Sequence, residues 1–211
     1  MIIAIDGPTA SGKGTLAKRI AEMYGLKRLD TGALYRAVGL AVLDAGQDPH
    51  DAEAAEAAAR ALDLGAIDEV RIRTAAAGSA ASVVAAHPGV RQILFEAQRA
   101  FASEPKGAVI DGRDIGTVIC PDAHVKLYVT ASLEARAERR HKELLARGES
   151  HSLEVVTWQI AERDARDANR DAAPLRRAED AVLLDTTGLS IEEAVAAARH
   201  VIETARQGPR Q

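Results

Sequence analysis

Near the start of the chain, Gly7, Pro8, Thr9, Ala10, Ser11, Gly12, Lys13, Gly14 and Thr15 combine glycines, hydroxyls and a cation in one short run. Glycine tolerates positive φ, so backbone amides there can converge on an anion. A helix beginning at the end of such a run adds unpaired N–H groups and the positive end of its dipole. Lys13 adds a mobile cation for outer phosphates. Thr15 offers a hydroxyl to a magnesium ion, which takes hard oxygen ligands and keeps much of its water. The apolar run Ile2 to Ile5 precedes the glycines and a helical pattern, Leu16 to Tyr24, follows them. Strand, glycine-rich turn and helix together describe a phosphate-binding loop. Gly14 separates Lys13 from Thr15, so the hydroxyl stands one place later than in the usual pattern.

A phosphate-binding loop says only that a nucleotide binds. Positive charge recurs at Arg36, at Arg113, and at Arg136, Arg139, Arg140, Arg163, Arg166 and Arg170. Phosphoryl transfer needs fixed positive charge around the moving group. Arginine suits this because it is always charged and forks onto phosphate oxygens. Arg136, Arg139 and Arg140 can share a helix face. Their spacing alone favours a solvated face paired with Glu134, Glu138 and Glu143. Arg163, Asp167 and Arg170 fall at i, i+4 and i+7 and face one way, as a site or as a stripe of ion pairs. Asp111-Gly112-Arg113-Asp114 follows a buried apolar strand. A carboxylate there could join a magnesium shell, accept from a base, or cap the amides of its own turn.

The bulk properties bound the class. A chain of 211 residues suits one domain with an elaboration and can bury a sizeable core. Apolar residues make up 47% and aromatics 3%, so that core is aliphatic and alanine-rich. A net charge of −4 argues against a general nucleic-acid binder. Cys120 is the single cysteine, which excludes an intrachain disulfide and points to packing in a reducing compartment. The chain starts directly in an apolar strand, with no basic leader or long apolar segment, so a cytoplasmic location without membrane contact is expected.

The elements that would position these groups alternate. Strands are expected at Ile2 to Ile5, Leu26 to Asp30, Ala108 to Ile110, His124 to Val129 and Val182 to Asp185, and a short one over Val70 to Thr74. Helices are expected over Ala33 to Ala45, with Asp30 or Thr31 as cap, and over Asp51 to Leu62. Further helices are expected at Gly78 to Ala86, Val90 to Phe101 after Pro88, Ser132 to Arg147, and Leu153 to Asn169. The last runs from Ile191 to Ala205 behind Ser190, with residues 207–211 as a frayed tail. The fold class is therefore α/β, a five-stranded parallel sheet with helices on both faces. Ligands of such sheets bind at the carboxyl ends of the strands, where the glycine loop, Asp30-Thr31, Asp111 to Arg113 and Asp185 all fall.

With these residues in hand, the chain resembles the bacterial cytidylate kinases, nucleoside monophosphate kinases of the P-loop class, from Ile2 to about Ala205. The resemblance rests on Asp6 to Thr15, Leu29 to Arg36 (Leu-Asp-Thr-Gly-Ala-Leu-Tyr-Arg), Asp111 to Thr117 (Asp-Gly-Arg-Asp-Ile-Gly-Thr), Pro121 to Ala123, and Glu162 to Arg170. It implies a core of residues 1–32, 104–135 and 171–211, an acceptor-binding domain of residues 33–103, and a lid region of residues 136–170. It also implies that Ser82, Arg91 and Asp114 hold the cytosine edge and that Arg163 and Asp167 reach the ribose. Arg36, Arg113 and Arg170 would bind the acceptor phosphate, with Thr31 and Tyr35 lining that pocket. Thr31 stands where this family often has serine. Only about residues 68–78 occupy the place of a longer insertion common in the family.

The expected activity is ATP-dependent phosphorylation of CMP and dCMP, with ATP and Mg2+ on the loop from Gly7 to Thr15. Lys13, Arg113, Arg139, Arg140 and Arg170 would stabilise the transferring group. The expected partners are small nucleotides, with neither nucleic acid nor membrane, and the family resemblance implies a monomer. Two other readings remain: a UMP/CMP or other monophosphate kinase, and a nucleotide-switched binding ATPase. The sequence lacks an Asn-Lys-x-Asp guanine-reading motif, and a second set of arginines favours transfer over switching.

Overall fold

Apolar runs such as Ile2 to Ile5 and Ala108 to Ile110 become the central strands of a single sheet, and Asp6, Asp30, Gly112 and Asp185 end their strands on one rim of it. The computed structural model describes residues 1–207. The strands are β1 (Ile2–Asp6), β2 (Lys27–Asp30), β3 (Ala108–Gly112), β4 (Val125–Thr130) and β5 (Val182–Asp185). They form a five-stranded sheet in the order β2-β3-β1-β4-β5, and every pairing is parallel. The helices are α1 (Lys13–Tyr24), α2 (Thr31–Asp44), α3 (Ala52–Arg60), α4 (Ala75–Val84), α5 (Pro88–Ala102), α6 (Leu133–Ala146), α7 (Leu153–Asn169) and α8 (Ile191–Gln207). Residues 208–211 of the expected tail lie outside the described residues.

Side chains alternate between the two faces of a strand. Ile3, Ile5 and Leu127 therefore pack with Leu16 and Ile20 of α1 and Ile202 of α8 on one face. Ala4, Ala108 and Ile110 point the other way, onto Ala102 of α5 and the buried Ile115, Ile119 and Cys120. Cys120 is thus a packed core thiol, as its isolation in the sequence suggests. The helices α2 to α5 close around a separate apolar centre of Leu34, Val38, Val42, Val84, Val90 and Leu94. A smaller one, with Ala137, Leu144, Val156 and Ile160, joins α6 to α7.

Caps fix the helix starts. Asp30, not Thr31, caps α2 by accepting from Ala33 N at 3.1 Å. Ser190 and Glu193 form a reciprocal capping box before α8. Pro88 occupies the first turn of α5, where its missing N–H costs nothing.

The expected strand over Val70 to Thr74 does not form; Arg71–Arg73 is a single 3₁₀ turn. The Asp68 carboxylate accepts from Val70 N at 2.9 Å and Arg71 N at 3.1 Å, which curls the backbone. Ile72 is buried by the turn while Val70 is 80% exposed, so the alternation of the sequence has no sheet to serve. Thr74 then caps α4, accepting from Ala77 N at 3.2 Å, and the helix starts at Ala75 rather than Gly78. The last strand forms where expected, as β5 over Val182–Asp185 at the sheet edge, with Val182 and Leu183 exposed.

Candidate active site

The loop between β1 and α1 owes its path to glycine. A Cβ on Gly7 would lie 1.9 Å from the Val129 carbonyl oxygen, so no side chain fits there. Gly12 precedes α1 with φ of 88°, in the left-handed region. It supplies no side-chain cap, and the first turn of α1 holds no acidic residue. The helix N-terminus is therefore left to bind an anion. Lys13 opens that helix, and its Nζ donates to Pro8 O at 3.0 Å. Burial and then Arg113 push its pKa down to about 7, against Asp111 and Asp30.

The turn after β3 lies beside that loop because β3 and β1 are neighbours, with Asp6 opposite Gly112. Asp6 ties the two together. Its buried carboxylate accepts from Ile115 N at 2.8 Å and Gly116 N at 2.7 Å, at the start of a π-helical turn over Ile115–Ile119. Burial pushes the Asp6 pKa up to about 6, against those two bonds. Arg113, in this turn, donates Nε to Asp167 Oδ2 at 2.8 Å and Nη2 to Thr9 Oγ1 at 2.7 Å. One guanidinium thereby links the glycine loop to α7.

A cavity of about 540 Å³ opens at this rim. Its wall holds Thr9 to Thr15 from the loop, together with Thr31, Tyr35, Arg36, Ser82 and Arg91. Arg113, Asp114, Arg140, Arg163, Asp167 and Arg170 complete the expected residues on it. Gly7, Pro8 and Arg139 shape its surroundings without lining it. Arg139 donates to Thr186 Oγ1 at 3.0 Å and to Thr186 O at 2.6 Å. Arg136 is structural, bonded to Ala131 O and Asp164. Arg140 both faces the cavity and pairs with Glu143 at 3.2 Å, so the surface-pair reading and the site reading meet in one residue. A wider depression of about 850 Å³ between α1 and α8 holds none of these groups.

Within the cavity, charges come in pairs with spare capacity. Arg36 Nη2 donates to Asp30 Oδ2 at 2.7 Å, while its buried Nε has no partner. Arg91 pairs with Asp114 and lies over the Tyr35 ring, its carbon 5.9 Å from the centroid, while its Nη1 has no partner. Arg170 approaches Asp114 at 3.5 Å. Arg163 Nε is also buried without a partner, and burial and Arg113 lower its pKa to about 10. Buried donors of this kind are costly unless a ligand accepts from them. Their residues line one cavity, which fits phosphate and base-edge oxygens.

Asp111 is neither a free carboxylate nor a cap for its turn. It accepts from Arg28 Nε at 2.8 Å, and Thr31 Oγ1 donates to its backbone oxygen at 2.9 Å. Burial, then Asp30, push its pKa up to about 6, against Arg28. Arg28, Lys18, Arg73 and Arg147 also line the cavity and were not singled out from the sequence. Arg28 had a readable signal: it stands two residues before Asp30 on one strand and so projects to the same face.

Thr15 is exposed on the cavity wall and offers a hard oxygen. Among the described residues there is no cluster of three or more His, Cys, Asp or Glu that could hold a metal alone. Such sparse ligation fits magnesium arriving on nucleotide phosphates with its water. No helix among the described residues is long and apolar enough to cross a membrane.

Residues 3–206 match the family model described as Cytidylate kinase. A cytidylate kinase of Azorhizobium caulinodans is 63% identical over 206 residues, covering 98% of this chain and 100% of that one. One of Caulobacter sp. strain K31 is 58% identical over 205 residues, covering 97% and 95%. Among solved structures, an uncharacterized protein from Eubacterium ventriosum has a TM-score of 0.57 at 15% identity, covering 97% of this chain and 98% of that one. A gluconokinase from Sinorhizobium meliloti has a TM-score of 0.52 at 15% identity, covering 98% and 97%. At that identity the structures show a shared fold.

Proposed function

The chain belongs to the cytidylate kinase family and phosphorylates CMP with ATP, and on that premise we propose which of its residues do each part of the reaction. The observation that carries the assignment is that Arg36, Arg91, Arg113 and Arg163 line one cavity beside the glycine loop, three of them with a buried N–H that has no partner.

In this reading the loop from Gly7 to Thr15 cradles the donor phosphates through backbone amides and the α1 N-terminus. Lys13 swings from Pro8 O onto the outer phosphates. Arg36, Arg113 and Arg170 hold the acceptor phosphate, lined by Thr31 and Tyr35. Arg163 and Asp167 reach the ribose, and Ser82, Arg91 and Asp114 read the cytosine edge. The acceptor oxygen attacks the γ-phosphorus in line with the leaving oxygen. A monophosphate has its second pKa near about 6, so its oxygen is already ionised at neutral pH and no side chain has to remove a proton. Arg113 spans both halves of the site through Thr9 and Asp167, so it sits where charge moves between donor and acceptor. Thr15 would help to hold a magnesium ion beside the donor phosphates, and that ion would supply charge neutralisation there.

The division of labour follows the three parts expected from the sequence: a core of residues 1–32, 104–135 and 171–211, an acceptor-binding unit of residues 33–103, and a lid over residues 136–170. The separate apolar centres of α2 to α5 and of α6 with α7 support that division. Closing the lid brings Arg140, and Arg139 once released from Thr186, toward the transferring group and excludes water.

The test is ADP release from ATP and magnesium with CMP, dCMP, UMP, AMP and GMP as acceptors. Turnover with CMP and dCMP, and little with the others, is the expected result and extends the acceptor range to the deoxynucleotide. Comparable turnover with UMP would remove Ser82, Arg91 and Asp114 as strict readers of the base.

A further inference from the structure

Arg166 lies outside the cavity wall, half-exposed on α7, and forms an ion pair with Glu162 at 2.9 Å. On spacing alone it is one more surface charge. Its Nε, however, donates to Ser82 Oγ at 3.2 Å, across 84 residues of sequence. Ser82 is 4% exposed, sits in α4 and does line the cavity. The contact therefore links α7 to a residue of the cavity wall.

We propose that Arg166 is a positioning residue for base selectivity, acting through the Ser82 hydroxyl. The inference rests on the reading that Ser82 faces the cytosine edge.

The argument is one of hydrogen-bond polarity and rotamer freedom. A serine hydroxyl has one donor hydrogen and two acceptor positions, and the hydrogen rotates to suit its partner. Left alone, Ser82 could also change its χ1 among staggered wells. Such a group adapts to either pyrimidine. It can accept from the amino group of cytosine or donate to the carbonyl that uracil carries in its place. A guanidinium is a donor only and cannot take the hydroxyl hydrogen. Arg166 thus fixes the oxygen in space by filling one of its acceptor positions with a charged donor, which holds the rotamer and leaves the second acceptor position for a base amino group. A hydroxyl so held has lost the adaptability that would admit both bases. Discrimination by polar groups is strong when a site cannot rearrange to pair the wrong ligand.

The geometry of the neighbouring elements gives this contact its weight. Only a 3₁₀ turn at Arg71–Arg73 precedes α4 on the side where a larger insertion could have buttressed it. The helix α4 packs chiefly on α2, and α7, the helix that also carries Arg163 and Asp167, adds the side-chain bond to Ser82. Base and ribose contacts would then be aligned by one rigid helix.

The experiment measures kcat/KM for CMP and for UMP in the wild type, R166A, S82A and the double variant. Position 166 is a half-exposed helix site where alanine is well tolerated, so the fold is retained. The expected result is a CMP-to-UMP ratio lowered by about fivefold to tenfold in R166A, the worth of one oriented hydrogen bond. The change should come mainly from tighter use of UMP and a raised KM for CMP, with kcat for CMP little altered. In the S82A background, R166A should change the ratio no further. A ratio lowered by S82A but untouched by R166A overturns the inference and leaves the reading of Ser82 standing. A ratio untouched by either variant removes the reading of Ser82 and the inference with it. Equal and additive losses in the two single variants would show that Arg166 acts by another route, and would also overturn it.

Discussion

Arg113 Nε donates to Asp167 Oδ2 at 2.8 Å, joining the turn after β3 to the middle of α7 across 54 residues of sequence. Burial alone would raise the Asp167 pKa, but Arg113, and after it Arg163, hold it below the usual aspartate range. A carboxylate depressed in the folded state adds stability above its unfolded pKa and loses that contribution as pH falls through the folded one. Asp167→Asn should therefore flatten the acid limb of the stability curve below about pH 4. Urea denaturation from neutral pH down to about pH 3 checks it; an unchanged acid limb would mean that this pair does not couple folding to pH.

Lys13 presents the opposite case, a cation whose surroundings resist it. Burial and Arg113 hold its pKa at about 7. Lys13→Met should lower kcat by about a hundredfold to a thousandfold, the scale of losing a charge at the transferring group. The same variant should melt no lower than the wild type, because an ill-hosted charge has been removed. Calorimetric melting of the ligand-free protein reads the second half of this prediction.

On the proposed assignment, Arg36 binds the acceptor and not the donor. It pairs with Asp30 at 2.7 Å yet keeps a buried Nε without a partner. Arg36→Gln should raise KM for CMP by about tenfold to a hundredfold, as for loss of a charge-assisted hydrogen bond. KM for ATP should stay within about twofold, since other groups cradle the donor. Matching rises in both constants would assign Arg36 to the shared centre of the site.

The connection between α6 and α7 touches the segment before α4. Ala75 N donates to Glu149 Oε2 at 3.1 Å, and Arg147 Nη1 donates to Arg73 O at 2.7 Å. If these contacts help to close the lid, Glu149→Ala should release about fivefold more ADP in the absence of CMP, the value of one lost hydrogen bond. Unchanged background hydrolysis would remove this contact from lid closure.

Much of this was legible in the sequence, and the reasons are local. Ile2 to Ile5, the glycines and Lys13 signal their conformation within a few residues, so the strand, the loop and α1 fall where expected. The parallel sheet follows from the alternation of such units. Val70 to Thr74 misled because alternating side chains imply a strand only where a sheet edge is available, and Asp68 instead captures two amides. Arg139 shows a different limit. Helical spacing places it on the same face as its neighbours, but not whether its long side chain turns to the cavity or, as here, to Thr186. The partner of Asp111 was hidden for the same reason, since Arg28 reaches it from the adjacent strand. Contacts between distant residues depend on packing that no short motif encodes.

The register of the two central strands has a consequence for how such an enzyme can change over time. Asp6 lies opposite Gly112, so the glycine loop and the Arg113 turn leave the sheet side by side from hydrogen-bonded neighbours. Ser82, Arg91 and Asp167 instead come from α4, α5 and α7. On the proposed assignment the phosphoryl-transfer machinery is thus anchored in the sheet, while of the base-reading residues Ser82 and Arg91 sit on helices packed around it and Asp114 in the turn after β3. Lineages can drift in nucleotide preference through those helices while inheriting the reaction centre intact, and a designer seeking a new acceptor would leave β1 and β3 alone.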